Sequence, residues 1–438
     1  MTSSHYATPK WWKEAVVYQV YPASFKSSKP PSQADGWGDL LYKSPQIDMG
    51  YDISDYKEID PRYGTMADVD LLIEALHKHN MKLMMDLVVT HTSDQHGWFI
   101  ESARSKHTLE QSWYVWYLRE VEAGHLKLPE FDTVMQFWLS RGVSGFRMDV
   151  INLISKDPSF PDAPVVDPSC QFQPGKRFYT NGPRFHEFMH GIYEHVLSRY
   201  ETITVGETAH VSDISEIIKT CHDQARSVSR YVDDSDKFRA RGGKLLALLE
   251  STLGGTLYLY QGQGIGMQNF SADWNPDARE LLQKKARDHA RTPMQWSDEP
   301  NAGFAASNVT PWMRVNDDFG TVHVKAQMGC ESQDLSVWQY WQLALRNRRT
   351  FKDVFVYGDY QDVDLDNEQI YTYLRTGAQT KRKWLVVMNW TGENLAWKIP
   401  GSLEVDWMAP SSLQRSIAVG DEATIRLQAW EGVMMCCK

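Results

Sequence analysis

SGFRMDVI, residues 144–151, reads as a strand in which two charges share one face. Side chains alternate along a strand, so Gly145, Arg147 and Asp149 lie on one side and Phe146, Met148 and Val150 on the other. Helical patterns flank it, over 131–141 before and 183–199 after. The same order recurs outward. A helical stretch at 65–80, with Val69, Leu72, Ile73 and Leu76 at helical spacing, leads into a strand at 82–89. Further strands are expected at 15–21, 202–207 and 256–261, the last after a helix near 236–249. Short strands alternating with helices predict an α/β fold with a parallel sheet. From about residue 351 the helical period vanishes. Strand-like runs at 371–375, 384–390, 395–399 and 423–427 predict a C-terminal all-β domain over 351–438, beyond a helix at 334–349.

Composition narrows the function classes. Hydrophobic residues at 42% and charged residues at 23% exclude disorder as the main state of these 438 residues. A net charge of −10 argues against nucleic acid as a partner. The most apolar stretch, 244–260, is broken by Glu250 and by Gly254 and Gly255, and mean hydropathy is −0.48, so no membrane span is expected. The N-terminus lacks a charged region followed by an apolar one, so no secretory signal is read. Five cysteines form an odd set without metal-ligand spacing, and Cys436–Cys437 reads as tail chemistry. A reduced, cytoplasmic monomer is the expectation. Aromatics reach 12%, and such rings stack readily on flat sugar or base surfaces. Segments 26–33, 158–175 and 271–278 are loop-rich, and 26–51 shows neither a convincing strand nor a helix. Five strands are fewer than the eight of a closed (β/α) barrel.

Four places carry candidate chemistry. Arg147 and Asp149 side by side on a sheet strand are costly to bury unless paired, and the arginine charge favours an ionised, nucleophilic Asp149. A structural ion pair fits the same residues, so both readings stay open. Glu207 falls where a parallel strand meets its loop, the edge at which active sites gather; taken alone it reads more readily as a solvated loop residue. His91 ends the strand at 82–89 in the same way, and a lone histidine is more often a satisfied polar group. His222 and Asp223, in CHDQAR, read as a helix cap and charged turn. Together, carboxylates on successive strand ends are what glycosidic cleavage requires. No Gly-x-Ser-x-Gly elbow, P-loop or correctly spaced dinucleotide fingerprint occurs.

These pieces in this order resemble the glycoside hydrolase family 13 α-glucosidases of the α-amylase superfamily, specifically the fungal maltase and oligo-1,6-glucosidase types. The motifs are WWKEAVVYQVYPASF, SPQIDMGYDISDYKEIDPRYGT, MKLMMDLVVTHTSDQHGWF, GFRMDVINLIS, TVGET, HDQARSVSR, YLYQGQGIGM and RDHARTPMQW. The resemblance implies a (β/α)8 TIM-type barrel over 1–350 and the C-terminal antiparallel β domain over 351–438. It makes Asp149 the nucleophile, Glu207 the general acid/base and Asp223 the third carboxylate. Arg147, His91 and His222 would line the sugar subsite, Asp48 and Tyr51 would close its non-reducing end, and Arg291 would sit near its mouth. Val150 resembles the types that accept α-1,6 bonds or sucrose. The implied reaction is retaining hydrolysis of maltose-, isomaltose- or sucrose-like α-glucosides without a cofactor.

Departures from the family pattern are abrupt. Barrel elements are missing after Leu40 and between Glu207 and His222, and most of the inserted B domain is missing near 112–130. Thr90, Cys221 and Gly264 stand where the family carries Asn, Asn and Glu. Of a Ca²⁺ loop found in some relatives only Asp35 and Asp39 remain, so no metal is expected. The barrel is therefore expected to be incomplete. A catalytically impaired or non-catalytic relative that at most binds sugar, arising from skipped coding segments or decay, stands as the alternative. Transglycosylation or sucrose isomerisation on the same site is a third reading.

Overall fold

The computed structural model describes residues 9–27, 41–105, 107, 108, 110, 113, 114, 131–208, 225–270, 288–332 and 334–438. Asp35, Asp39, Cys221, His222 and Asp223 lie outside the described residues, as do most of 112–130. Two compact units form: 1–34 with 218–438, and 35–217. Seven strands precede residue 351: β1 (Val16–Gln19), β2 (Tyr42–Lys43), β3 (Asp55–Ile59), β4 (Met84–Val88), β5 (Gly145–Asp149), β6 (Ile203–Gly206) and β7 (Leu257–Tyr260), counted among the described residues.

In the unit 35–217, β4, β5 and β6 form a parallel sheet in that order. Register aligns Asp86 with Arg147 and Val88 with Asp149. One face of this sheet is dry. Met85, Leu87, Phe146 and Met148 are all at most 5% exposed and join a core with Val134, Met135 and Trp138 of the helix Phe131–Ser140. Gly145 is dictated by close approach, because a Cβ there would meet the Ile203 carbonyl at 2.5 Å. The helix Met66–Lys78 starts on a reciprocal cap between Thr65 and Asp68 and buries Val69 and Ile73. Leu72, expected on the same face, is exposed, as is Leu71, so its apolar stripe is wider than its cover. β2 and β3 form a short antiparallel pair in a region where the sequence shows no alternation long enough to read.

In the other unit, β1 and β7 pair in parallel from Val16–Leu257 to Gln19–Tyr260. Val16 and Tyr18 of β1 and the adjoining Val20 are 40–45% exposed along one side of the chain, a partly covered apolar edge. The five parallel strands are those read from the sequence, and among the described residues they fall in two sheets of three and two. The helix Arg239–Thr252 is buried on nearly every side, which its LLALLEST run reflects. After it comes the helix Val337–Thr350, capped by Ser336 and Gln339.

The remaining strands are β8 (Asp359–Asp362), β9 (Ile370–Thr376), β10 (Lys383–Asn389), β11 (Leu395–Lys398), β12 (Val405–Met408), β13 (Thr424–Leu427) and β14 (Gly432–Cys437). They make an antiparallel five-stranded sheet, β12-β14-β10-β9-β8, and a separate β11-β13 pair. Both faces of β10 are buried: Trp384, Val386 and Met388 pack with the helices Arg239–Thr252 and Val337–Thr350, and Leu385 and Val387 pack with Trp397 and Ile425. Burial on two faces explains its unbroken apolar sequence. Cys436 and Cys437, read as a tail, are strand residues of β14, with Cys437 buried. No helix among the described residues is long and apolar enough to cross a membrane.

Trp138 is fully buried, and its Nε1 donates to the Tyr56 carbonyl at 2.8 Å. Trp138→Ala removes both the packing and that bond. The expected loss is about 3–5 kcal/mol, read from the urea midpoint at constant slope. A loss under about 1 kcal/mol would show that the core closes without this ring.

Candidate active site

Charge gathers on the other face of the β4-β5-β6 sheet. The parity that buries Phe146 and Met148 turns Asp86, Arg147 and Asp149 to the opposite side, with Glu207 one residue beyond β6. Arg147 occupies the centre. Its Nη1 donates to Asp86 Oδ1 at 2.9 Å, Asp86 Oδ2 at 2.8 Å and Asp149 Oδ1 at 2.7 Å. Its Nη2 donates to Glu207 Oε2 at 2.5 Å. The guanidinium is held well above its ordinary pKa: burial opposes the charge, and Asp86, Glu207 and Asp149 outweigh it.

Asp149 behaves differently from the sequence expectation. Burial of the carboxyl raises its pKa and Asp86 adds to that, so the pull of Arg147 is outweighed. The Asp149 and Glu207 side chains also hydrogen-bond each other, which pulls the Asp149 pKa part of the way back down. Their surroundings differ: the Asp149 side chain is 10% exposed and that of Glu207 32%. Backbone bonds fix the pair, with Glu207 N–H donating to Met148 O and Ile151 N–H to Glu207 O. Between them Val150 is not a strand residue as its parity suggested. It turns into the left-handed region at φ 34°, ψ 44°, strained for a β-branched side chain, and its N–H faces Glu207 Oε2 at 3.4 Å.

A turn brings three more of the sequence candidates to this sheet. The Asp52 carboxylate accepts from Ile47 N, Asp48 N and Ser44 Oγ, curling the segment so that Met49 and Gly50 both take positive φ. Tyr51 is thereby buried, with its Oη 3.4 Å from Asp86 Oδ2. His91 hydrogen-bonds the Tyr51 backbone and feels the charges of Asp48 and Asp52. Burial nonetheless lowers its pKa, aided by the Lys156 ammonium, which favours a neutral imidazole at pH 7. Arg291 belongs to the other unit, buried with its guanidinium 5.1 Å from the Tyr21 ring.

The sequence reading missed Asp86. Its signal was present: an acid inside MMDLV at the parity of a strand's charged face requires a cation on the neighbouring strand. Lys156, partly buried with Nζ donating to the Leu153 carbonyl at 2.7 Å, was missed as well.

Residues 41–130, 126–219 and 209–358 match the catalytic domain of the alpha-amylase family. The chain belongs to that family. It is 32% identical to an alpha-glucosidase of Schizosaccharomyces pombe over 547 positions, covering 90% of this chain and 93% of that protein. It is also 32% identical to an oligo-1,6-glucosidase of Saccharomyces cerevisiae over 593 positions, covering 99% of each. A crystal structure of an isomaltulose synthase variant of Erwinia rhapontici with D-glucose is similar at TM-score 0.85 and 28% identity, covering 99% of this chain and all of that one. The fold class is thus that of the alpha-amylase family, a (β/α)8-type barrel with a C-terminal antiparallel β domain. Against 593 aligned positions, 438 residues leave at least 155 positions without a counterpart here.

The raised pKa of Asp149 means that the folded state holds its proton more tightly than the unfolded chain. Its contribution to stability is full below the unfolded value and is lost as pH rises through the folded one. Asp149→Asn should therefore melt higher than the wild type at pH 7, with the difference vanishing near pH 4. Arg147→Met should do the reverse, costing about 3–5 kcal/mol at pH 7 by leaving its carboxylates uncompensated. Thermal and urea unfolding at the two pH values measure both; a pH-independent difference would refute the electrostatic account.

Proposed function

We propose that this chain hydrolyses terminal α-glucosidic bonds of short α-glucosides with retention of configuration. The observation that carries the reading is Arg147 holding Asp149 and Glu207, carboxylates of unequal exposure, at neighbouring parallel strand ends. One proton between the two carboxyls is the working state of this reading. With it on Glu207, Asp149 is an anion 2.7 Å from the guanidinium. Asp149 attacks the anomeric carbon as Glu207 protonates the departing glycosidic oxygen, giving a glucosyl–Asp149 ester. Glu207, now a carboxylate, takes a proton from water, and the resulting attack on the anomeric carbon releases glucose and Asp149.

Asp48, Tyr51 and neutral His91 supply hydrogen-bonding groups suited to the non-reducing glucose. Asp223, His222 and Arg291 keep the roles their motifs imply, and no step here is routed through them. Val150 points to isomaltose or sucrose rather than maltose. The reaction requires no cofactor. Free thiols at Cys170, Cys330, Cys436 and Cys437 support a reducing, cytosolic setting, and we take the working form as a monomer.

A sugar-binding relative without catalysis is the second reading, favoured by the aligned positions that have no counterpart here and by the partly exposed apolar side of β1. One assay separates the two. The wild type should release p-nitrophenol from p-nitrophenyl α-glucoside, and proton NMR should show α-glucose before mutarotation. Asp149→Asn and Glu207→Gln should each lower kcat on the order of 10²–10⁴-fold. Equal rates in wild type and Asp149→Asn would remove the catalytic assignment.

A further inference from the structure

Two buried cations in the unit that holds the C-terminal sheet have no part in this chemistry. Arg348, on the helix Val337–Thr350, and Arg375, on β9, are each 3% exposed. Arg348 Nη1 donates to the carbonyls of Ser251 (2.9 Å), Leu253 (2.6 Å) and Phe355 (3.3 Å), and Nη2 to that of Gly255. Arg375 Nη2 donates to the carbonyls of Val354 (3.0 Å), Phe355 (3.3 Å) and Gly358 (2.9 Å). The two guanidinium groups therefore share the Phe355 carbonyl. Every one of these acceptors is neutral, and the buried Nε of each arginine has no partner among the described residues.

Carbonyls at the end of the helix Arg239–Thr252 stabilise a cation there, which accounts for part of the arrangement. They do not neutralise two like charges. Burial and the nearby Arg375 push the Arg348 pKa down to about 10; burial also lowers that of Arg375, where Asp359 offsets part of the effect. Breaking a buried charge from its counter-ion costs several kcal/mol, so a missing anion is the economical explanation.

Beside Arg348 lies a small, partly open cavity with about 10 Å³ for the centre of a water-sized sphere. Its polar lining is Ser251, Thr252, Tyr340, Asn347 and Arg348, and no acidic side chain borders it. The Asn347 amide and the Tyr340 hydroxyl have no protein partner among the described residues. Positive charge, unused donors and room for one small occupant coincide here. We propose that this cavity binds a monovalent halide, held by the Arg348 guanidinium, the Asn347 amide and the Tyr340 hydroxyl. Water would fill the same space but bring no negative charge to Arg348.

The test uses the whole chain at constant ionic strength, with sodium methanesulfonate exchanged for sodium chloride or bromide. Wild-type Tm should rise saturably, by about 3 °C when halide exceeds its Kd a hundredfold. Crystals grown in bromide should show an anomalous peak in the cavity. Asn347→Leu and Tyr340→Phe, which keep both arginines, should flatten the halide response, as should Arg348→Met where it folds. Identical melting in methanesulfonate and halide, or a cavity without the bromide peak, would overturn the site. An undiminished response in Asn347→Leu and Tyr340→Phe would overturn the proposed ligands.

Discussion

A single guanidinium organises the charged half of the β4-β5-β6 sheet. Asp86, Asp149 and Glu207 approach one another on three adjacent strands, and such crowding of acids in a poorly solvated place is unstable without a cation. Arg147 supplies it with two nitrogens, and parallel register sets Asp86 opposite it. The same register sets Met85 and Leu87 beside Phe146 and Met148 on the dry side. One alternation thus serves both purposes: a one-residue slip would bury the charges and expose the core.

The compensation is deliberately incomplete in its effect. Asp149 stays harder to ionise than a free carboxyl although an arginine touches it, because desolvation and Asp86 pull the other way. Such frustration suits a reactive acid and is unfavourable for stability. The strained turn at Val150, wedged between Asp149 and the Glu207 carboxylate, belongs to the same compromise.

Much of this was legible from residues alone. All five parallel strands were legible as short apolar runs between helical periods, and alternation within one of them put Arg147 and Asp149 on one face. Asp86 escaped because its neighbours Met85 and Leu87 make the run look wholly buried; only the pairing partner reveals its role. β8, β12 and β14 escaped because polar edges such as Asp359–Asp362 and a terminal run of Met and Cys carry weak strand signals. The direction of the Asp149 pKa was misjudged because sequence supplies the nearest charge and not the depth of burial. His222 and Asp223 were legible only through their motif.

The C-terminal sheet has a consequence for how such a chain can be shortened. β10 lends one face to the helix Arg239–Thr252 and the other to the β11-β13 pair, so no seam separates it from the helices that precede it. A gene can drop an inserted lobe whose contacts are its own, and the remainder loses only its surroundings. It cannot shed this sheet, because the break would run through the middle of a shared interior. Modularity here follows the boundaries of the packed interiors and not the change from helix to strand along the chain.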